Sequence, residues 1–112
     1  MDINRLESIT TFEELEEFQK EYRSIYKEGH ITLDEYMKNR ELIFIVSTRL
    51  VAKRIRHLRK QAGLTQRELA NISKLSLATI VSLESVNGNH STKSYDKVRS
   101  AFGIYMYELF QD

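Results

Sequence analysis

The segment LTQRELANISKLSLATIVSLES, residues 64–85, has the residue spacing of two short helices, each of which begins at a residue that can cap it. Thr65 followed by Glu68 predicts a capping box at the first helix, and Ser76 can cap the second helix after a short turn. Gln66 then lies in a first turn, where free backbone amides and the positive end of the helix dipole favour an anion. The first chemistry that this segment predicts is therefore contact with a phosphate or similar group.

The second helix of the segment is expected to turn uncharged side chains outward. Ile80 and Leu83 have the spacing of a core-facing stripe, so their neighbours on the opposite side face outward. Exposed Leu and Val one helical turn apart are unusual on a solvated helix and are typical of a contact surface. The outward set consists of Leu77, Ala78, Val81, Ser82 and Ser85.

Length and composition restrict the kind of protein that can carry these helices. The 112 residues suffice for one compact domain, or for a domain of about 65 residues with an appendage. No cysteine is present, which excludes disulfides and thiolate metal sites. The acidic, polar start does not fit a signal peptide, and the longest aliphatic run, LIFIV, is too short to cross a bilayer. We therefore expect a cytoplasmic protein with no membrane partner.

Charge is distributed unevenly along the chain. Residues 1–45 hold six basic and eleven acidic side chains, a net charge of −5. Residues 46–112 hold eleven basic and five acidic side chains, a net charge of +6. This asymmetry favours two parts, with a basic part that meets a polyanion and an acidic part that does not, although two solvated faces would give the same charges.

Helices are predicted throughout, because the sequence has no proline, four glycines and no sustained alternation of apolar and polar residues. Thr11 with Glu14 is expected to cap a first helix that ends before Gly29. Thr32 with Glu35 is expected to cap a second one.

The second helix can extend from residue 33 to residue 62, because no glycine or proline interrupts this stretch. An unbroken helix of that length would span about 45 Å. A break near Ser47 and Thr48 fits equally well, since either hydroxyl could cap a new helix. The LIFIV run, residues 42–46, is apolar on all sides, so we expect it to be buried between the first helix and another surface, such as a second subunit.

Residues 17–43, EFQKEYRSIYKEGHITLDEYMKNRELI, predict a helical hairpin. Its turn, GHITLDEY, resembles the G-x-I-T-x-E-E-F turn of short bacterial oligomerisation hairpins called SHOCT modules. That resemblance implies that residues 1–45 help a homodimer to form or bind a protein partner. An ordinary αα-hairpin packed on its own domain fits the same residues equally well.

A longer resemblance covers the second half of the chain, from Arg54 to Phe110. The stretch RIRHLRKQAGLTQRELANISKLSLATIVSLES, followed by YDKVRSAFGIYMYELF, resembles the Cro/repressor (Xre) family. The family pattern is R-I-R-x-L-R-x-x-x-G-L-T-Q-x-E-L-A-x-x-x-G-V-S-x-x-T-I-S-x-I-E, ending A-L-G-V-x-x-x-E-L-F. The resemblance implies an all-α fold in which a five-helix, Cro/repressor-like helix-turn-helix domain, residues 46–112, follows the N-terminal hairpin.

The family resemblance implies particular roles for individual residues. Arg59 and Glu84 match a structural ion pair that joins the first and third helices of the domain. Gln66 matches a contact to the DNA backbone. The core implied by the resemblance, and independently by periodicity, is Ile55, Leu58, Leu69, Ala70, Leu75, Ile80, Leu83, Val98, Phe102, Ile104 and Leu109. In the family, the loop after the third helix runs beside the sugar-phosphate strand, which makes Asn87, Asn89, His90 and Lys93 candidate contacts. Further candidates are Arg67, Lys74 and the cap residue Ser76, although a solvated role fits Arg67 and Lys74 as well.

By the same resemblance, base reading falls to Leu77, Ala78, Val81 and Ser82. None of them can make the bidentate hydrogen bonds that distinguish guanine or adenine. Apolar side chains can pack on the C5-methyl group of thymine, so we expect modest readout of A·T-rich DNA assisted by groove shape.

Two residues depart from the family pattern. Lys74 stands where the family prefers glycine, so the turn either avoids a left-handed residue or accepts strain of about 1 kcal/mol. Arg99 stands where a small residue is common, and it could point toward a partner.

Other chemistry has little support in the sequence. His30, His57 and His90 are isolated from one another and from carboxylates at ligand spacing, so we expect no metal and no cofactor. The sequence also contains no glycine-rich phosphate loop and no nucleophile elbow. An enzyme is therefore not expected.

These observations lead to one prediction and one alternative. The prediction is a transcriptional regulator, by default a repressor of phage or mobile-element type, that binds an A·T-rich palindromic operator in double-stranded DNA as a homodimer. The alternative is a helix-turn-helix scaffold, such as an antirepressor or adaptor, that presents Leu77 and Val81 to a protein and binds DNA weakly or not at all.

Overall fold

Residues 3–85 and 91–112 are described by a computed structural model, and within these ranges the chain is all-helical, without strands. The predicted all-α class is confirmed for these residues. The helices are α1 (Ile3–Glu7), α2 (Phe12–Lys27), α3 (Leu33–Gln61), α4 (Gln66–Ser73), α5 (Leu77–Leu83) and α6 (Thr92–Phe102), followed by a 3₁₀ helix, Met106–Phe110. The last of these elements is a short 3₁₀ segment.

The predicted helix ends are confirmed at α2 and α3. The Thr11 hydroxyl accepts a hydrogen bond from the Glu14 amide, and Gly29 follows α2 with φ 78°. The Thr32 hydroxyl accepts from the Glu35 amide at the start of α3. Gly63 ends α3 in the left-handed conformation, with φ 71°. Helix α3 continues through residues 47 and 48, so the predicted alternative of a new cap at these positions is wrong.

The chain divides into two compact units. The first unit ends at Ser47 and also includes Asp112, and the second unit extends from Thr48 to Gln111. The boundary therefore falls inside α3. No helix of the described residues is long and apolar enough to cross a membrane.

The first unit contains the predicted hairpin, in which α2 and the first part of α3 are joined by aromatic rings. Tyr22 stacks between Phe18 and Tyr36, and Tyr36 also stacks on Tyr26 at a centroid distance of 4.3 Å. The buried Tyr22 hydroxyl donates to the Glu35 carbonyl at 3.0 Å. This column of four rings, together with the hydrogen bond, fixes the pairing of the two helices.

Helix α1 was not predicted from the sequence. Its Leu6 side chain and the following Ile9 are buried, and this burial supports a helix too short to be stable alone. The Arg5 guanidinium forms an ion pair with the Glu21 carboxylate of α2 and donates a hydrogen bond to it. This hydrogen bond lowers the pKa of the Glu21 carboxyl. Tertiary contacts therefore stabilise this short helix. Because it does not depend on a cap or on helical periodicity in its own sequence, the sequence alone does not predict it.

A contact between residues distant in sequence caps the start of α2. The Phe12 and Glu13 amides donate to the two carboxylate oxygens of Asp112, at 2.7 and 3.2 Å. These amides belong to the first turn, which has no intrahelical acceptor for them. The Asp112 carboxylate therefore acts as an additional cap next to Thr11.

The expectation that the LIFIV run is buried on all sides is wrong for two of its members. Ile43 and Val46 are buried, whereas Phe44 and Ile45 are more than half exposed. Successive helical residues point in different directions, so a hairpin with one partner helix buries only one face of α3.

The predicted core of the second unit is confirmed in part. Among the predicted core residues, Leu58, Leu75, Phe102 and Ile104 are only partly buried. Three further residues of α3, Leu50, Val51 and Ala52, are buried although they were not predicted. The predicted residues that are buried are Ile55, Leu69, Ala70, Ile80, Leu83, Val98 and Leu109.

Candidate nucleic-acid interface

Helices α4 and α5 are joined by a tight connection of three residues, 74–76. Helix α4 begins with the predicted capping box, in which the Glu68 amide donates to the Thr65 hydroxyl and the Thr65 amide donates to the Glu68 carboxylate, both at 3.1 Å. Ser76 caps α5 by accepting the Thr79 amide at 3.1 Å. Helix α4 packs against both α5 and α6, so these caps set the directions of two packed helices.

Lys74 ends α4 in the left-handed conformation, with φ 60° and ψ 35°. Among the described residues it is the only non-glycine with a positive φ. The Leu75 amide donates to the Ala70 carbonyl at 3.0 Å, a C-terminal cap that requires a left-handed residue before it. Of the two alternatives left open by the sequence, the turn accepts the strain.

Arg59 and Glu84 form a bidentate ion pair that joins α3 to the end of α5. The Nε and Nη2 groups of Arg59 donate to the two carboxylate oxygens at 2.8 and 3.0 Å, and Nη1 donates to the Leu64 carbonyl at 2.9 Å. The Glu84 side chain is only 4% exposed and that of Arg59 13%. Pairing is therefore required at this position, since an unmatched charge there would be strongly destabilising.

Gln66 is attached to the same pair. Its Nε2 donates to a Glu84 oxygen at 3.5 Å, and the residue is half-buried in the first turn of α4. One amide hydrogen and the side-chain oxygen have no hydrogen-bond partner among the described residues. The phosphate contact predicted for Gln66 has a local sequence signal, whereas its contact with Glu84, 18 residues further along the chain, has none.

Helix α5 has one buried face and one exposed face. Ile80 and Leu83 are buried, while Leu77, Ala78 and Val81 are exposed. Ser82 is half-buried, and the exposed Ser76 uses its hydroxyl to cap the helix. The exposed face of α5 therefore consists mainly of apolar side chains, while the opposite face packs in the core.

Exposed cations occur on the helices on either side of α5 and in the connection before it. Arg67 lies in the first turn of α4, Lys74 in the connection and Lys93 in the first turn of α6. In residues 3–85 and 91–112, none of the three has a carboxylate within salt-bridge distance. The candidate residues Asn87, Asn89 and His90 lie outside the described residues.

Two other arginines of this unit make contacts that the sequence did not indicate. Arg99 pairs with Asp96 one turn earlier in α6, with an Nε to Oδ1 distance of 2.8 Å, so its charge is matched within the helix. Arg56 donates to the Glu84 carbonyl at 3.0 Å, just after α5. Arg56 thus neutralises part of the negative end of the α5 dipole.

The first unit contains a separate groove of about 520 Å³ between α2 and α3. Aromatic rings and two arginines, Arg23 and Arg40, contribute to its walls. The sequence gives no signal for this groove, because the two arginines lie on different helices of a segment with net negative charge.

Comparisons with protein-family models, with curated proteins and with solved structures found no match for this chain.

Proposed function

We propose that residues 46–112 form a helix-turn-helix domain that binds double-stranded DNA and regulates transcription. In this proposal α4 crosses the sugar-phosphate backbone and α5 enters the major groove. Two copies would place their α5 helices about 34 Å apart on a palindromic operator. Repression by covering a promoter is the default mode of action for such a domain.

The observation that carries the proposal is the form of α5. It is a short capped helix, packed on α4 after a three-residue connection, with Ile80 and Leu83 buried and the opposite face exposed. A helix held in this way can present its side chains to a groove without rearrangement of the core. Leu77, Ala78 and Val81 would then contact thymine methyl groups, so the preferred operator is rich in A·T pairs.

The surrounding charges support backbone contact. Arg67, Lys74 and Lys93 carry no ion pair within the described residues, so phosphate oxygens would not have to displace a carboxylate. Gln66 is held by Glu84 and keeps one amide hydrogen for a phosphate oxygen. Such contacts supply affinity that does not depend on sequence.

Fluorescence anisotropy with labelled random and A·T-rich duplexes tests this proposal at several salt concentrations. We expect tighter binding to the A·T-rich duplex, and an affinity for both that falls steeply as salt rises. Three phosphates neutralised by Arg67, Lys74 and Lys93 of one copy would give a slope of roughly −2.7 in a plot of log K against log salt concentration. Absence of binding to either duplex at low salt would refute the proposal.

A second candidate function rests on the apolar character of the same face. Three apolar side chains here are 37–52% exposed: Leu77 and Val81 of α5 and Ile72 of α4. Such side chains also suit a protein partner. In this alternative the domain is an adaptor or antirepressor, and Lys74→Gln would leave its partner affinity nearly unchanged. The salt series distinguishes the two, because an adaptor would bind neither duplex.

A further inference from the structure

The groove between α2 and the first part of α3 brings together two kinds of side chain. Its wall combines aromatic rings with two guanidinium groups, those of Arg23 from α2 and Arg40 from α3. Its volume of about 520 Å³ lies within the range of small-molecule sites in proteins. A molecule in this groove would therefore meet apolar surface and positive charge at the same time.

No carboxylate neutralises either guanidinium. Among the described side chains, no salt bridge includes Arg23 or Arg40. The sequence explains this, because a helical residue pairs with neighbours three or four positions away. These neighbours are residues 19, 20, 26 and 27 for Arg23 and residues 36, 37, 43 and 44 for Arg40, and none of them is acidic. Lys20, by contrast, pairs with Glu16 four positions earlier.

The groove is thus locally positive within a segment of opposite charge. Residues 1–45 have a net charge of −5, yet the described residues that line the groove include two arginines and no acidic residue. Gln19 and Ser47, which are half-buried in the wall, add an amide and a hydroxyl that can donate hydrogen bonds. This charge and these donors are complementary to an anion.

The aromatic part of the wall is already ordered. Tyr22 is buried, and Tyr36 is stacked between Tyr22 and Tyr26, so the surrounding rings hold both side chains in place. Phe44 is 56% exposed and adds apolar surface to the same groove. A wall of fixed rings lowers the entropy that would be lost on binding a planar molecule.

We propose that this groove binds a small organic anion with a planar aromatic body, of the aryl carboxylate class. The carboxylate would accept hydrogen bonds from Arg23 and Arg40, because a planar guanidinium matches two carboxylate oxygens. The aromatic body would pack against Phe44. A simple inorganic anion would leave the rings without a contact, and a neutral aromatic molecule would leave the guanidinium charges unmatched. This site goes beyond the proposed function and does not depend on it, since α5 contributes no residue to the groove.

An NMR titration of the ¹⁵N-labelled full chain with 2-naphthoate tests this site. We expect saturable shifts of the amide signals of Arg23, Arg40 and Phe44, with a Kd on the order of 0.1–1 mM for a ligand of this size. The signals of Leu77 and Val81 in α5 should not move. Shifts confined to α5, or no saturable shift up to about 10 mM, would overturn the proposal.

Two further ligands separate the contribution of charge from that of the rings. The compound 2-naphthamide has the same rings and nearly the same shape as 2-naphthoate but no charge, and inorganic phosphate has charge but no rings. Each should bind at least about tenfold more weakly than 2-naphthoate. If 2-naphthamide bound as well as 2-naphthoate, the guanidinium groups would have no role in binding. If phosphate bound as well, the aromatic wall would have none, and either result would overturn the proposal.

Charge variants test the role of the two arginines. Arg23→Gln and Arg40→Gln should each weaken 2-naphthoate binding roughly fivefold, a modest loss because both guanidinium groups are exposed. Lys38→Gln is the matched control, because Lys38 is an exposed cation of α3 that does not line the groove. It should leave the affinity nearly unchanged. Equal losses for Arg40→Gln and Lys38→Gln would show a general effect of charge and would overturn the site.

An apolar pair of variants tests the ring contact. Phe44→Ala should weaken 2-naphthoate binding about tenfold, because the naphthalene body loses its exposed aromatic contact. Ile45→Ala is the control, since Ile45 is 55% exposed and does not line the groove. Both positions are exposed, so circular dichroism should show that the helices are retained. Equal affinities of the two variants would overturn the assignment of Phe44.

The two proposals fail separately. A chain that binds 2-naphthoate in the groove but no DNA at low salt would refute only the proposed function. A chain that binds A·T-rich DNA but not 2-naphthoate would refute only the groove site.

Discussion

Replacing Lys74 with glycine is expected to stabilise the second unit. The left-handed conformation at φ 60° costs a non-glycine residue about 1–2 kcal/mol, because its Cβ approaches a carbonyl oxygen. Glycine avoids this cost but loses about 0.5–1 kcal/mol more backbone entropy on folding. The difference is a net gain of about 0.5–1 kcal/mol in the free energy of unfolding, or a rise in Tm of about 2–6 °C.

Urea unfolding followed by circular dichroism at 222 nm measures this gain. Lys53→Gly is the matched control, because Lys53 is an exposed lysine inside α3, where glycine should cost about 1 kcal/mol. The two substitutions remove the same side chain and should shift the unfolding midpoint in opposite directions. A destabilisation by Lys74→Gly similar to that of Lys53→Gly would refute the assignment of strain to Lys74.

The same variant links stability to the proposed function. If the Lys74 ammonium contacts a phosphate, its removal should lower the magnitude of the salt slope for DNA binding by about one. Lys53→Gly should leave that slope unchanged. A more stable protein that binds DNA less well would explain why a lysine occupies a position suited to glycine.

Five further substitutions test three other features. Glu84→Gln should lower the free energy of unfolding by about 3 kcal/mol, because it leaves a largely buried guanidinium unmatched, whereas Asp96→Asn, at an exposed pair, should change it by less than about 1 kcal/mol. Equal losses in urea unfolding would contradict this ranking. Asp112→Ala should lower the free energy of unfolding by about 1 kcal/mol. It should also speed hydrogen exchange of the Phe12 and Glu13 amides, which donate to the Asp112 carboxylate. Unchanged exchange would show that the contact is not formed in solution. In anisotropy titrations, Gln66→Ala should weaken binding to all duplexes alike, and Leu77→Ala should mainly reduce the preference for A·T-rich DNA; identical profiles for the two variants would refute this division of roles.

Local signals in the sequence predicted local structure well. Thr11, Thr32, Thr65 and Ser76 all cap helices as expected, because a cap needs only a side-chain oxygen and an amide a few residues away. Helical periodicity likewise predicted that Ile80 is buried. Such features depend on spacing that can be read directly from the chain.

Contacts between residues distant in sequence could not be predicted in this way. The attachment of Gln66 to Glu84 and the cap that Asp112 provides for α2 depend on how separate elements pack. Burial of the LIFIV run depends on how many faces of α3 are covered, which composition does not specify. The conformation of Lys74 could not be predicted either, because it depends on whether the turn makes the hydrogen bond from the Leu75 amide to the Ala70 carbonyl.

The column of aromatic rings in the hairpin has a consequence for the order of folding. Phe18, Tyr22, Tyr26 and Tyr36 come from a short stretch of chain, so bringing them together closes only a small loop. Contacts of such low sequence separation form quickly, on a timescale of microseconds for helical hairpins. The acidic hairpin should therefore assemble early during refolding, before the more distant contacts of Arg59 and Asp112 are made.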